Sequence, residues 1–182
     1  MKFWAIFILV LSFVTFTLAG YKTYLSLTHP VKYKNEIIEI ANQYNLEPCM
    51  VASVINIESS YNPNTKSNKN AIGLMQIKYS TAKYLCEIYN LEIANETELF
   101  DPVTNIKFGC LYLNYLSKKF ENVYTVLASY NAGETRVRAW LKDKNYSLDG
   151  KSLDYIPFKE TRNYVKKFKE NVKFYKKSYN FN

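Results

Sequence analysis

Glu58 is the residue in this sequence best placed to transfer a proton. It lies seven residues after Val51 and four after Val54, so on a helix opening at Pro48 the three share one face. That face is apolar, and a carboxylate on it loses solvent, which raises its pKa. The position is also near the helix C-terminus, where the peptide dipoles disfavour negative charge and push the same way. An acid that keeps its proton near neutrality, with a pKa of roughly 6, suits general-acid work such as glycosidic cleavage. The same pattern also fits a plainer role, an end-of-helix glutamate whose carboxylate reaches out to water.

Other reactive side chains are few. The three cysteines, Cys49, Cys86 and Cys110, form no CxxC pair, and the single histidine, His29, falls in a stretch that reads as a linker. No metal site of ordinary spacing can be built from them. The cysteines read as buried small hydrophobes, with a Cys86–Cys110 disulfide left open because both fall on neighbouring predicted helices.

The residues after Glu58 carry a more specific signal. The run Glu58-Ser59-Ser60-Tyr61-Asn62-Pro63 leads to Ser67-Asn68-Lys69-Asn70-Ala71-Ile72-Gly73-Leu74-Met75-Gln76-Ile77. Two further pieces come later in the chain, in order: Ser129-Tyr130-Asn131-Ala132-Gly133, and Ile156-Pro157-Phe158-Lys159-Glu160-Thr161-Arg162-Asn163-Tyr164-Val165. Together they resemble the soluble lytic transglycosylases, glycoside hydrolase family 23, over roughly residues 32 to 176. Three pieces in the right order are a far stronger signal than any one.

The resemblance implies a lysozyme-like α-helical fold with a deep glycan cleft, acting on the glycan strands of peptidoglycan without cofactor or metal. By matching position, Glu58 would be the catalytic acid and then base. Ser67 would hydrogen-bond near it. Gln76, Tyr130 and Asn131 would line the cleft, and Met75 would pack beneath the sugars. Glu160 and Tyr164 would close the far side. For Met75, Glu160 and Tyr164 a purely structural role fits equally well, since methionine is a common gap-filler and Glu160 suits the first turn of a helix.

Three positions depart from the family pattern. Asn70 stands where glycine is usual, and asparagine is the next best residue for a left-handed backbone. Lys78 replaces a methionine, with no proline after it, and Glu134-Thr135 replaces Pro-Gly. None of these touches the expected acid; they bear on substrate preference. Most glycosidases use two carboxylates, whereas these motifs supply one. One suffices if the substrate's own C6 hydroxyl is the nucleophile, giving a 1,6-anhydromuramic product. A lysozyme-type hydrolase on the same fold would need a second carboxylate, for which Asp101 and Glu134 are available. A non-catalytic wall-binding protein is a third reading, and an intact Glu58 speaks against it.

The elements that must position these residues read as helices. Ile37, Ile40, Ala41 and Tyr44 recur at helical spacing. A second helix runs from Pro48 to Glu58 and another covers about Thr81 to Tyr89. Asp101-Pro102 is a helix start for the stripe Val103, Ile106, Cys110, Leu113. Val123, Val126, Leu127 and Tyr130 form the next, stopped by Gly133. Val137, Trp140 and Leu141 make a short helix, and Pro157 precedes a last one carrying Val165, Phe168, Val172 and Tyr175. With no internal repeat and no run of alternation, the body is predicted to be all-α.

The chain has 182 residues, 48% hydrophobic and 22% charged, which places the body among globular rather than disordered chains. Its net charge of +8 favours polyanions in general. A nucleic-acid role lacks any recognisable reading motif. From Lys159 onward there are eight Lys/Arg and two acids, best read as a solvated helix face. At the N-terminus, Phe3 to Ala19 carries no charge and comes after Lys2. Thr17-Leu18-Ala19 is a poor cleavage site, so a retained membrane anchor is favoured over a cleaved signal, with the body outside the cytoplasm. The expected division is residues 1–20 as anchor or signal, 21–31 as tether, and 32–182 as the catalytic domain, acting as a monomer. The alternative location is secreted or in the cell wall.

Overall fold

Several of the body helices have a start or a stop that the sequence explains. We describe a computed structural model of the chain over residues 2–179 and 181. The first helix, α1, covers Lys2–Thr28, and α2 covers Lys34–Gln43. Helix α3, Pro48–Ser59, opens on a proline whose missing N–H costs nothing in a first turn. It ends where Ser60 turns left-handed at φ 50° and donates its N–H to the Asn56 carbonyl. Two-residue strands β1 (Ala71–Ile72) and β2 (Ile77–Lys78) pair antiparallel, Ala71 opposite Lys78 and Ile72 opposite Ile77. Helix α4 comes directly after as Tyr79–Tyr89.

A 3₁₀ turn, Glu96–Phe100, is closed by a reciprocal cap between Asn95 and Glu98. Helix α5, Pro102–Ser117, starts on Asp101, whose Oδ1 accepts from Thr104 N at 2.8 Å. Helix α6, Val123–Ala132, starts on Asn122, whose Oδ1 accepts from Tyr124 N and Thr125 N. Gly133, at φ 94°, ends α6 and begins α7, Glu134–Lys142, with no residue between. A side chain would strain that backbone, so this abrupt junction of two helices needs a glycine. The last helix, α8, covers Lys159–Ser178.

Helix α5 is the core of the body. Nine of its sixteen residues are buried, and it packs against α2, α4, α6 and the 3₁₀ turn. Helix α8 covers α3 and α6 with a stripe of Tyr164, Val165, Phe168 and Tyr175. This sandwiching brings the end of α3, the end of α6 and the start of α8 to one place.

Two features differ from the sequence expectation. Residues 21–28, read as part of a tether, continue α1, because nothing between Tyr21 and Thr28 breaks a helix and Pro30 supplies the stop. The body also contains the small hairpin, whose strands are too short to show alternation. The three cysteines are free, Cys49 and Cys110 buried and Cys86 half-buried, so Cys86 and Cys110 are not joined. Burial drives the Cys110 thiol far above its ordinary pKa, as expected of an inert core cysteine.

Helix α1 carries a stretch, Ile6–Leu25, long and apolar enough to cross a membrane, and none of it is buried by the body. Its C-terminal end is held: Asn56 Nδ2 donates to the Thr28 carbonyl, Tyr179 Oη to that of His29, and Tyr175 Oη to that of Pro30.

Candidate active site

Where α3, α6 and α8 converge, a cleft of about 670 Å³ opens, with Glu58 in its wall. One side is the segment Ser67–Lys69, the hairpin and Thr81; the other is Tyr130–Gly133 and Arg136; Tyr112 and Glu160 complete it. Glu58 sits in the last turn of α3, where its spacing predicts it. Its side chain keeps a partial opening to the cleft, but its carboxylate is poorly solvated, and this desolvation raises its pKa to about 7. Tyr164 opposes that shift and the charge of Glu160 adds to it.

The surroundings of Glu58 are aromatic. Tyr164, from α8, is buried, and its hydroxyl makes no hydrogen bond of normal geometry, yet lies close enough to feel Glu58. Tyr130, from α6, donates from its hydroxyl to the Met75 carbonyl at 2.7 Å. Burial first, and the Glu58 charge second, hold both phenols well above their ordinary pKa. Desolvation and the Glu160 charge thus outweigh the Tyr164 hydroxyl, and the balance favours the protonated form of Glu58.

The loop carrying Leu74-Met75-Gln76 is pinned on three sides. Ser59 Oγ donates to Leu74 O at 2.8 Å, Tyr130 holds Met75 O, and Asn105 Oδ1 accepts from Met75 N at 2.7 Å. Asn105 Nδ2 also donates to Ile72 O and Leu99 O. Gly73 takes φ 77°, and a Cβ there would run into the Asn105 amide and the Leu99 carbonyl. Gln76 itself is left-handed at φ 50°, and its Nε2 donates to Thr65 O at 3.1 Å and Gly73 O at 2.9 Å. The loop is thus over-determined, which lets a non-glycine residue hold an unfavourable backbone.

The expected site residues fall into two groups. Glu58, Ser67, Gln76, Tyr130, Asn131 and Glu160 line one cleft. Ser67 does not hydrogen-bond to Glu58; its hydroxyl accepts from Ala71 N at 3.0 Å and Lys69 N at 3.3 Å, closing the turn in which Asn70 is left-handed at φ 56°. Asn131 Oδ1 accepts from Thr161 Oγ1 at 2.8 Å, which orients its amide. Glu160 is exposed and pairs with Lys69 at 3.5 Å. Met75 and Tyr164 are not on the lining. Met75 is fully buried and packs against Gly109, where any Cβ would meet its sulfur. Tyr164 is buried close to Glu58.

Several residues here carry no motif. Tyr112 reaches the cleft from α5 and packs against Tyr130, with ring centroids 5.2 Å apart. Asn105 is hidden within a helix stripe, and its only sequence signal is an amide on an otherwise apolar face. Asp101 and Glu134, the alternative second carboxylates, are engaged elsewhere. Asp101 caps α5, and Glu134 pairs with Arg138 at 2.7 Å and accepts from Tyr115 Oη at 3.0 Å.

Comparison with known proteins agrees with this architecture. Residues 35–152 match the family described as Transglycosylase SLT domain. The chain is 34% identical over 141 residues to the soluble lytic murein transglycosylase of Escherichia coli K12, covering 75% of this chain and 22% of that protein. It is also 34% identical over 137 residues to the membrane-bound lytic murein transglycosylase E of Buchnera aphidicola from Acyrthosiphon pisum, covering 68% of this chain and 61% of that one. The crystal structure of the 70-kDa soluble lytic transglycosylase from Escherichia coli superimposes with a TM-score of 0.75 at 31% identity, over 88% of this chain and 27% of that one. The chain spans less than a quarter of the length of the soluble Escherichia coli relative. It belongs to the transglycosylase SLT domain family.

Proposed function

We propose that the chain is a peptidoglycan lytic transglycosylase that cuts the β-1,4 bond between N-acetylmuramic acid and N-acetylglucosamine, with Glu58 as its only acid–base group. One observation carries this reading: a single desolvated carboxylate, with a pKa near 7, lies in the wall of a cleft lined by tyrosines and amides. Relatives support the substrate, since their names specify murein. They also support a glutamate at the centre of the chemistry, since a Glu-to-Gln mutant of the lytic transglycosylase Slt from Pseudomonas aeruginosa is inactive.

Glu58 in its protonated form donates to the glycosidic oxygen as the bond to muramic C1 breaks, and the 2-acetamido oxygen assists the departure. The resulting Glu58 carboxylate takes the proton from the muramic C6 hydroxyl as that oxygen closes on C1. Atoms balance without water, and the enzyme ends in its starting protonation state. A group titrating near 7 is suited to give and then take a proton at neutral pH. The loop hydrogen bonds around Met75 would hold the cleft before substrate arrives, so positioning adds to the acid–base contribution. The engagement of Asp101 and Glu134 elsewhere favours this over a two-carboxylate hydrolase. Digestion of purified peptidoglycan followed by mass spectrometry tests it. The products are expected to end in 1,6-anhydromuramic acid, one water lighter than hydrolysis products, and reducing ends would make the chain a lysozyme.

The exposed apolar α1 supports retention in the membrane, with the body on its outer side; a relative is itself membrane-bound. Fractionated cells are expected to yield the chain in membranes with α1 intact. A soluble mature form beginning near Gly20 or Tyr21 would make α1 a cleaved signal and the enzyme secreted.

A further inference from the structure

The charges on the cleft wall do not balance. Three cations, Lys69, Lys78 and Arg136, share it with two carboxylates, Glu58 and Glu160. Glu160 is taken by Lys69. Glu58 faces tyrosines, and neither Lys78 nor Arg136 has a carboxylate within ion-pair distance among the described residues. Arg136 is ordered without one: Nη1 donates to Ala132 O at 2.9 Å, and its guanidinium lies over the Phe158 ring at 4.8 Å. Lys78 is exposed, and its backbone is fixed by the hairpin pair with Ala71 and by the start of α4. Two uncompensated cations on rigid backbone, in one cleft with the general acid, are a standing attraction for an anionic ligand.

We propose that Lys78 and Arg136 form a carboxylate-binding subsite, which takes the carboxylate carried beside the scissile bond by the muramyl sugar. This rests on the reading that glycan occupies the cleft. It makes the preferred substrate an anionic strand rather than any N-acetylated glycan. The carboxylate has two sources: the free lactyl group of a strand stripped of peptide, or the carboxylates of an attached stem peptide. Arg136 can meet either with its remaining N–H donors, and Lys78 as a compact point charge. Both lie on a solvent-open wall, so the attraction weakens with added salt.

The test is read in binding, with the full chain in detergent and Glu58→Gln present so that no probe is cut. Calorimetry compares three muramyl oligosaccharides: peptide-free with free lactyl carboxylates, the same with those groups converted to methylamides, and stem-peptide-bearing. Amidation is expected to weaken binding about five-fold, the scale of one exposed ion pair. Adding Lys78→Gln is expected to lose about the same factor on the free acid and nothing on the amide. A Lys78 effect confined to the peptide-free probe assigns the lactyl group, and one on the peptide-bearing probe assigns the stem. Equal affinity for acid and amide together with no Lys78→Gln loss on the peptide-bearing probe, or a Lys78→Gln loss of equal size on all three probes, would overturn the subsite. Failure of the wild-type chain to cleave any of the three, alongside carboxylate-dependent binding, would instead overturn the reaction and leave the subsite standing.

Discussion

Glu58→Gln is expected to lower peptidoglycan turnover by about 10²–10⁴-fold or more, with glycan binding retained. Glutamine keeps the size of the side chain and removes the proton that leaves with the glycosidic oxygen. The pH dependence of the wild type should carry the same group. Its first step needs protonated Glu58, so kcat/KM is expected to fall as pH rises through about 7. Stability should change in the same direction. Desolvation raises the carboxyl from an ordinary 4.5 to about 7 in the folded chain. The unfolded chain therefore releases this proton first, and the folded state loses stability as pH rises from about 4.5 to 7. The full loss is about 3 kcal/mol, present above pH 7 and absent below about 4.5. Glu58→Gln has no proton to lose. Its Tm should exceed the wild type's above pH 7, with the advantage shrinking to nothing as pH falls toward 4.5. A variant that is inactive, correctly folded and more stable at high pH than its parent is the expected pattern for a desolvated acid. Full activity in Glu58→Gln would remove Glu58 from the reaction, and parallel Tm curves would remove the desolvation argument.

Glu58 is legible in the sequence because helix geometry is local. Positions 51, 54 and 58 share a face on any helix that begins at Pro48, so spacing places the acid on the apolar side, while whether its carboxylate stays there or reaches water is set by the tertiary packing around it. The body helices are legible for the same reason, several of them marked by a cap, a proline or a glycine. The pinned loop is legible only as a resemblance. Its structure depends on contacts between Met75 and Asn105, thirty residues apart, and between Met75 and Tyr130, fifty-five apart. No periodicity encodes such pairs. The hairpin leaves no mark because two residues cannot display an alternating pattern. The resemblance puts Met75 under the sugars and Tyr164 on the far side, and in the structure neither side chain lines the cleft. Met75 is buried against Gly109, and Tyr164 is buried near Glu58. The unbalanced cations can be counted in the sequence but not located, since Lys78 and Arg136 line one cleft only once β2 and α7 face it.

Asn105→Leu is expected to be the most destabilising single substitution at the site, although Asn105 lies behind the cleft and belongs to none of the motifs. The amide is fully buried and uses three of its hydrogen-bonding positions: one acceptor for Met75 N at 2.7 Å, and two donors for Ile72 O at 2.8 Å and Leu99 O at 2.7 Å. Leucine fills nearly the same volume, so cavity formation contributes little. What it leaves is one N–H and two carbonyls buried without partners, each costing about 1–3 kcal/mol. Some relaxation toward water brings the total to about 3–5 kcal/mol, at the upper end for a single change. For a chain of this length that corresponds to a Tm lower by roughly 10 °C. The loss should appear as a lower urea midpoint at constant slope, because the unfolded state is unaffected. Asn105→Asp separates the contributions. It keeps the acceptor for Met75 N but turns both donors into a buried anion facing two carbonyls, so it should cost at least as much as leucine at pH 7 and become milder in acid, where the carboxyl regains one donor. Activity should fall with stability in both variants, even in the fraction that remains folded, since the Met75 carbonyl also receives the Tyr130 hydroxyl that stands beside Glu58. An unchanged urea midpoint in Asn105→Leu would mean that the loop finds its partners elsewhere and that this amide does not hold the cleft.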